Sequence, residues 1–250
     1  MLQNKVYKQL TKRISEKGGL CFTVIDPPNQ EAIVAGKIGK MAEEAGIDAI
    51  AVGGSVGAQG EILDSTILQV KDNCSLPVIL FPGNTLQISG KADAILFLSL
   101  ISGRNAEMLI GRHVISAPYI KLAGLEVIST GYMLIDSGKP TAVSYMSNSN
   151  PIPADKCDIA ACTAMAGEML GLKLIFMDAG SGAVNSVSEK MISNVSQSID
   201  VPLIVGGGIK TPLDAEKKAK AGADLIVIGN SIEKDSSLIK EIADTIHSIY

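Results

Sequence analysis

A single-domain (β/α)8 TIM barrel spanning residues 1–250 is the fold this sequence predicts, on two observations. Eight short apolar runs rich in β-branched residues recur at fairly even spacing, and helical segments lie between most of them. The runs are continuous in hydrophobicity rather than alternating, as parallel strands buried on both faces are. An open doubly wound sheet would not need eight parallel strands, and its usual glycine fingerprint after the first strand is absent.

In chain order, "MLQNKVYKQLTKRISEKGG" is polar and helical in period, which predicts a helix before the first strand rather than a signal peptide. The strand runs are "LCFTVID" (20–26), "DAIAVGGS" (48–55), "PVILFPG" (77–83) and "AILFLSLIS" (94–102). Then come "LEVIST" with "YMLID" (125–136), "KLIFMDAG" (173–180), "PLIVGGG" (202–208) and "DLIVIGN" (224–230). The helical segment before the second strand ends on Gly46, and the one before the sixth ends on Gly171, both suited to the position just past a helix end. Thr211, Pro212 and Asp214 read as N-cap, first turn and a capping box with Asp in place of Glu, and Gly222 stops that helix. Two places break the rhythm. "GNTLQISGKADA" is too short for a helix, so the helix after the third strand is predicted to be missing or replaced by a loop. Residues 125–145 read as extended, followed by a polar loop.

Apolar residues make up 46% of the chain and charged residues 19%, a balance that suits a large interior and not disorder. The formal charge is −4 and no basic block occurs, which removes the electrostatic footprint of a nucleic-acid binder. Four cysteines without CxxC spacing and two histidines argue against a zinc site or a disulfide framework. No apolar run reaches the ~18 residues of a membrane span. A soluble protein of the reducing cytoplasm is the expectation.

In a barrel the loops after the strands converge on one mouth. The residues at those ends are Asp26, Ser55, Asn84, Ser102, Thr130, Asp178, Gly207 with Gly208, and Gly229 with Asn230. No Lys, His or Cys stands among them, against Schiff-base or thiol chemistry. "VGGGIKTP" and "VIGNSI" present bare main-chain N–H groups beside helix starts, where a phosphate can sit, although glycines also serve tight turns. Asp26 in "IDPPNQ" reads either as a turn or capping aspartate or as a Mg²⁺ ligand, with Ser55 able to add a hydroxyl. Asp178, followed by "AGSG", reads either as a loop-capping aspartate or as a base beside a phosphate cradle.

Taken together, "IDPPNQ", "VGGS", "LEVISTGYMLID", "IPADKCDIAACTAMAGEMLGLKLIFMDAGSGA" and "DVPLIVGGGIKTPLDAEKKAKAGADLIVIGNSI" resemble the geranylgeranylglyceryl phosphate synthase family, an archaeal ether-lipid prenyltransferase. The resemblance runs from about residue 20 to residue 234, and the "EVISTGY" and "PIP" segments look like the archaeal group rather than its bacterial relatives. It implies a TIM barrel joining sn-glycerol 1-phosphate to geranylgeranyl diphosphate with Mg²⁺. Asp26 and Ser55 match the family's metal-associated positions. Its glycerol-phosphate contacts map onto Phe176, Met177, Asp178, Ala179, Gly180, Ser181 and Gly182, and onto Gly207, Gly208, Gly229 and Asn230, with Asp178 as the catalytic group. It also implies a homo-oligomer with no transmembrane segment and at most a transient membrane-surface contact. The sequence departs from the family at Phe176 and Asp178, where Tyr and Glu are usual, at Ser129 for a proline, and at Pro28 for a frequent aspartate. The alternative is a phosphate-binding barrel isomerase acting on a phosphorylated metabolite, with Asp26 and Asp178 as acid and base.

Overall fold

A computed structural model of the chain describes residues 4–54, 56–229 and 236–249. Helix α1 (Lys5–Lys17) leads into strand β1 (Leu20–Ile25), and α2 (Ala32–Glu44) follows. Next are β2 (Ala49–Val52), α3 (Gly60–Asn73), β3 (Val78–Leu80), β4 (Ala94–Leu100), α4 (Arg112–Ala123) and β5 (Glu126–Leu134). The chain continues with α5 (Ala142–Ser147), α6 (Cys157–Met169), β6 (Leu174–Asp178), α7 (Glu189–Ser196), β7 (Leu203–Gly206), α8 (Pro212–Lys220), β8 (Leu225–Ile228) and α9 (Ser236–His247). The strands pair in sequence order, all parallel, and β8 closes onto β1. This is the predicted eight-stranded barrel.

Strand alternation divides the interior into two cores. Leu20, Phe22, Leu96, Ile128, Phe176 and Ile204 fill the barrel, and Val6 and Leu10 of α1 pack beneath them as a plug. Cys21, Ile50, Met133, Ile175 and Ile226 face outward and meet the helices. The predicted helix ends hold. Gly46, Gly171 and Gly222 all have positive φ, which glycine adopts without steric cost. The Thr211 hydroxyl accepts the Asp214 N–H at 3.1 Å, and the Asp214 carboxylate accepts the Lys210 N–H at 3.4 Å.

No helix forms between β3 and β4, as the short segment predicted. Two readings need correction. The stretch 142–145 is not extended: a capping box between Thr141 and Ser144 starts the six-residue helix α5, too short to show a helical period. Thr130 is not a strand end, because β5 runs four residues beyond it, to Leu134, and buries it mid-strand.

Candidate active site

The strand C-termini open into one cavity of about 760 Å³. At its closed polar end stands Asp178, the last residue of β6 and only 8% exposed. The β5–β6 register sets Tyr132 beside Phe176 and Leu134 beside Asp178, which brings the Tyr132 hydroxyl diagonally onto the carboxylate. That hydroxyl donates to Asp178 Oδ2 at 2.5 Å, and the Gly180 N–H donates to Oδ1 at 2.7 Å. Burial pushes the Asp178 carboxyl above the usual carboxylate range, and these two hydrogen bonds pull it partly back. Burial raises the Tyr132 phenol well above its ordinary value, with the neighbouring Asp178 charge adding to it, so Tyr132 stays a neutral donor.

The loops after β6 and β7 come together closely around the Asp178 carboxylate. A Cβ on Gly207 would lie 2.7 Å from Asp178 Oδ1 and 2.8 Å from the Gly180 nitrogen, and Gly207 has φ +83. Any other residue would push the two loops apart. Gly180, Ser181, Gly182, Gly207, Gly208 and Gly229 line the cavity here, with Lys210 beside them. Backbone amides, one hydroxyl and an ammonium suit a phosphate.

Across the mouth, Asp26 follows β1 and lines the same cavity. Asn29, at the end of a 3-10 turn, donates its amide to Asp26 Oδ2 at 2.8 Å. Oδ1 occupies the space a Cβ would fill on Gly54. This cradle presents a fixed carboxylate to the cavity. Among the described residues no group of three metal-binding side chains forms. Mg²⁺ fits such a place, because it takes one or two carboxylates and draws its remaining ligands from water and phosphate oxygens.

The PcrB family pattern matches residues 12–246. The chain belongs to the PcrB family. It is 53% identical over 248 residues to the geranylgeranylglyceryl phosphate synthase of Chitinophaga pinensis, covering 99% of this chain and 98% of the relative. It is 47% identical over 234 residues to the enzyme of that name from Pyrococcus horikoshii, covering 94% and 91%. The crystal structure of (S)-3-O-geranylgeranylglyceryl phosphate synthase from Thermoplasma acidophilum, in complex with its substrate sn-glycerol-1-phosphate, superposes with a TM-score of 0.93 at 34% identity, over 98% of this chain and 99% of that one.

In this PcrB-family barrel the cavity has a second, apolar arm. Phe81, Tyr132 and Phe176 form its floor, with Phe81 stacked on Phe176 at 5.4 Å and Tyr132 edge-on to Phe176 at 5.4 Å. From there Ile88, Ile95, Phe97, Met108, His113 and Ile120 carry the cavity outward between the loop after β3 and α4. That space is open because no helix follows β3. His113 packs edge-on against Phe97 at 4.5 Å, and burial lowers its imidazole pKa, which favours the neutral ring in an apolar wall.

Of the contiguous positions expected from the family resemblance, Phe176, Asp178, Gly180, Ser181 and Gly182 reach the cavity. Met177 and Ala179 do not. They are fully buried in the outer core against the helices, because alternate strand residues point to opposite faces. Ser102 is likewise outside the cavity: its hydroxyl accepts the Leu134 N–H at 2.9 Å and serves the rim. Asn84 lines the cavity, while Ser55 and Asn230 lie outside the described residues. Reading strand ends missed Phe81, Gly54 and Lys210. Phe81 was findable, since it stands two residues beyond Ile79 on the inward face of its strand. Gly54 was not, because its role depends on a carboxylate 28 positions earlier.

Proposed function

We propose that this chain transfers a geranylgeranyl group from geranylgeranyl diphosphate to the 3-hydroxyl of sn-glycerol 1-phosphate, forming the first ether bond of archaeal-type membrane lipids. The observation that carries this reading is the two-armed cavity. Its phosphate-binding glycine turns and buried acid at one end continue into an apolar arm through the gap left by the absent helix. The whole, about 760 Å³, is within the ~300–1,000 Å³ of small-molecule sites. A small-metabolite isomerase would leave the apolar arm without an occupant.

The glycerol phosphate seats its phosphate on the turns at Gly180–Gly182 and Gly207–Gly208, with Gly229 and Asn230 completing the seat. Its 3-hydroxyl then lies at Asp178. The ether bond forms between that oxygen and the allylic carbon as the carbon–oxygen bond to the diphosphate breaks. The diphosphate leaves with the bonding electrons, and the hydroxyl proton passes to Asp178. Tyr132 and the Gly180 N–H hold the carboxylate in place while this happens. The π-faces of Phe81 and Phe176 lie beside the path, and such faces favour developing positive charge. Asp26, with Ser55, would hold Mg²⁺, which when bound neutralises charge gathering on the departing diphosphate. Substitution of Glu by Asp at 178 shortens the acid by one methylene, and Tyr132 supplies a hydroxyl to it from the neighbouring strand in a site where position 176 has none.

The test is incubation of the folded chain with sn-glycerol 1-phosphate, Mg²⁺ and radiolabelled geranylgeranyl diphosphate. An organic-extractable phosphate product is expected, and its absence would sink the proposal. Among the described residues no helix is long and apolar enough to cross a membrane. All four cysteines are free, which supports a reducing compartment, and we place the enzyme in the cytoplasm.

The proposed working form is a homo-oligomer. The outer face of α4 exposes Val114, Ile115, Tyr119 and Leu122, with Ile110 in the turn before it, and α6 exposes Ile159 and Met169, with Leu170 just past its end. Facing helices of a second copy would cover them. Light scattering is expected to give at least a dimer, and Val114→Glu with Leu122→Glu a monomer. A wild-type monomer overturns this assignment.

A further inference from the structure

We infer that Gln87 is a positioning residue: its buried amide ties the loop after β3 to the loop after β2 and so sets where the Asp26 carboxylate stands. The inference rests on the proposed role of the Asp26 end as the diphosphate and Mg²⁺ seat.

In a complete barrel a helix after β3 would pack down and hold the loop that precedes it. Here residues 81–93 have no helix; Phe81, Ile88 and Ala92 pack on the cores, but Leu86 at the centre of the stretch is 63% exposed, so apolar packing does not anchor residues 82–86. The far half of the stretch is tied to α3 by polar contacts, from Ser89 to Asp64 and from Lys71 to Asp93. The near half, which lines the cavity at Pro82, Gly83 and Asn84, has Gln87. That side chain is 1% exposed and is engaged at both ends. Its Oε1 accepts the Gly83 N–H at 2.9 Å, and its Nε2 donates to the Gly54 carbonyl at 2.6 Å.

Gly54 is also the residue whose missing Cβ makes room for Asp26 Oδ1, and a Cβ on Gly53 would overlap the Phe81 carbonyl. The β3 loop and the Gly53–Gly54 strand end therefore meet backbone to backbone with no side chain as a spacer, and the Asp26 carboxylate lies directly against Gly54. In such a stack a shift of the Gly54 peptide moves the surface against which Asp26 rests. The Gln87 amide is the group that fixes that peptide from behind, without itself reaching the cavity. One buried glutamine thus does locally what the missing helix would have done by packing.

Two isosteric variants of the full chain test this. Gln87→Met keeps the volume and removes both hydrogen bonds, and Gln87→Glu keeps the shape but turns the Nε2 donor into an acceptor against the Gly54 carbonyl. Calorimetry would measure magnesium pyrophosphate binding and, separately, sn-glycerol 1-phosphate binding in the presence of a chelator. Both variants should bind magnesium pyrophosphate about tenfold more weakly, the size expected for a lost buried hydrogen bond, with sn-glycerol 1-phosphate affinity unchanged. In turnover the same split should appear as a raised KM for the diphosphate substrate with KM for glycerol phosphate held. Gly54→Ala, which leaves Gln87 intact and crowds Asp26 directly, should reproduce the split if the Gln87 variants fold poorly.

Equal weakening of both ligands, or pyrophosphate binding as in wild type, overturns the inference. A wild-type chain that binds sn-glycerol 1-phosphate but not magnesium pyrophosphate overturns the reading of the Asp26 end itself, and the role of Gln87 with it.

Discussion

At the lower end of the barrel, Asp48, Asp93 and Asp224 each stand just before an even-numbered strand and reach back to the preceding odd one. Their carboxylates accept the backbone N–H of Cys21 at 2.9 Å, Val78 at 2.9 Å and Leu203 at 2.8 Å. Glu126 does the same for α1, taking the N–H groups of Val6 and Tyr7, so the plug is held by an acid as well as by its apolar face. At the upper end, Asp26 and Asp178 are held by groups of the mouth itself and face the cavity. The residue type is the same and the employment differs. A lower carboxylate pairs donors that would otherwise be stranded at a strand or helix start. An upper one is steadied by neutral donors and turned toward a ligand. A perturbed pKa does not separate the two ends, because burial raises Asp224 as it raises Asp178. What separates them is the end of the strand on which each stands and what it faces.

Replacing an upper acid should therefore cost turnover, and replacing a lower one should cost stability. The largest effect is expected for Asp178→Asn. Loss of the proton acceptor should lower kcat by about 10²–10⁴-fold, read by steady-state kinetics with glycerol phosphate saturating. The same variant should melt higher than wild type at neutral pH. The folded-state pKa of Asp178 is raised, so the carboxyl favours the fold when protonated, and that contribution is lost as pH rises through the folded value. Asparagine does not ionise and escapes the loss. The melting advantage should disappear in acid, below the range where the unfolded carboxylate ionises. A variant with unchanged kcat would move Asp178 to the structural class.

Asp48→Ala probes the other end. Asp48 accepts the Cys21 N–H and also meets Arg13 at 2.8 Å and His247 at 2.9 Å, so three elements lose a shared acceptor. Leaving the buried Cys21 N–H unpaired alone costs about 1–3 kcal/mol. Denaturant titration should show a loss of that order, with activity per folded molecule unchanged. Lost activity in a stably folded variant would collapse the distinction between the two ends.

The strands, the helix ends and the two upper acids were legible from the sequence, and the illegible parts share one cause. Continuous β-branched runs mark the strands because both faces are buried, and glycines at 46, 171 and 222 mark helix ends because the turn needs positive φ. The short segment after β3 betrayed the missing helix. These signals are local. Facing is legible only when the strand end is known, which is why Met177 and Ala179 passed for site residues beside Asp178. The Tyr132–Asp178 bond depends on register across 46 positions, and the Gln87–Gly54 bond spans 33. Those pairings are products of barrel closure, and no single motif carries them.

The smallest expected effect concerns how an upper acid is tuned. Tyr132→Phe keeps the ring that packs on Phe176 but removes the hydroxyl from Asp178 Oδ2. That hydrogen bond lowers the Asp178 pKa against the larger opposing effect of burial, so its loss should raise the pKa further. Activity that needs ionised Asp178 rises with pH, and in the variant the acidic limb of the kcat profile should move to higher pH. At the alkaline plateau the carboxylate is ionised in both forms, and kcat should fall only a few-fold, on the scale of one lost hydrogen bond of about 0.5–1.5 kcal/mol. A profile that drops uniformly without moving its limb would mean that Tyr132 acts through packing alone. The acid would then be tuned by burial and by the Gly180 N–H without the phenol, and the upper end would differ from the lower in position but not in how its carboxylate is controlled.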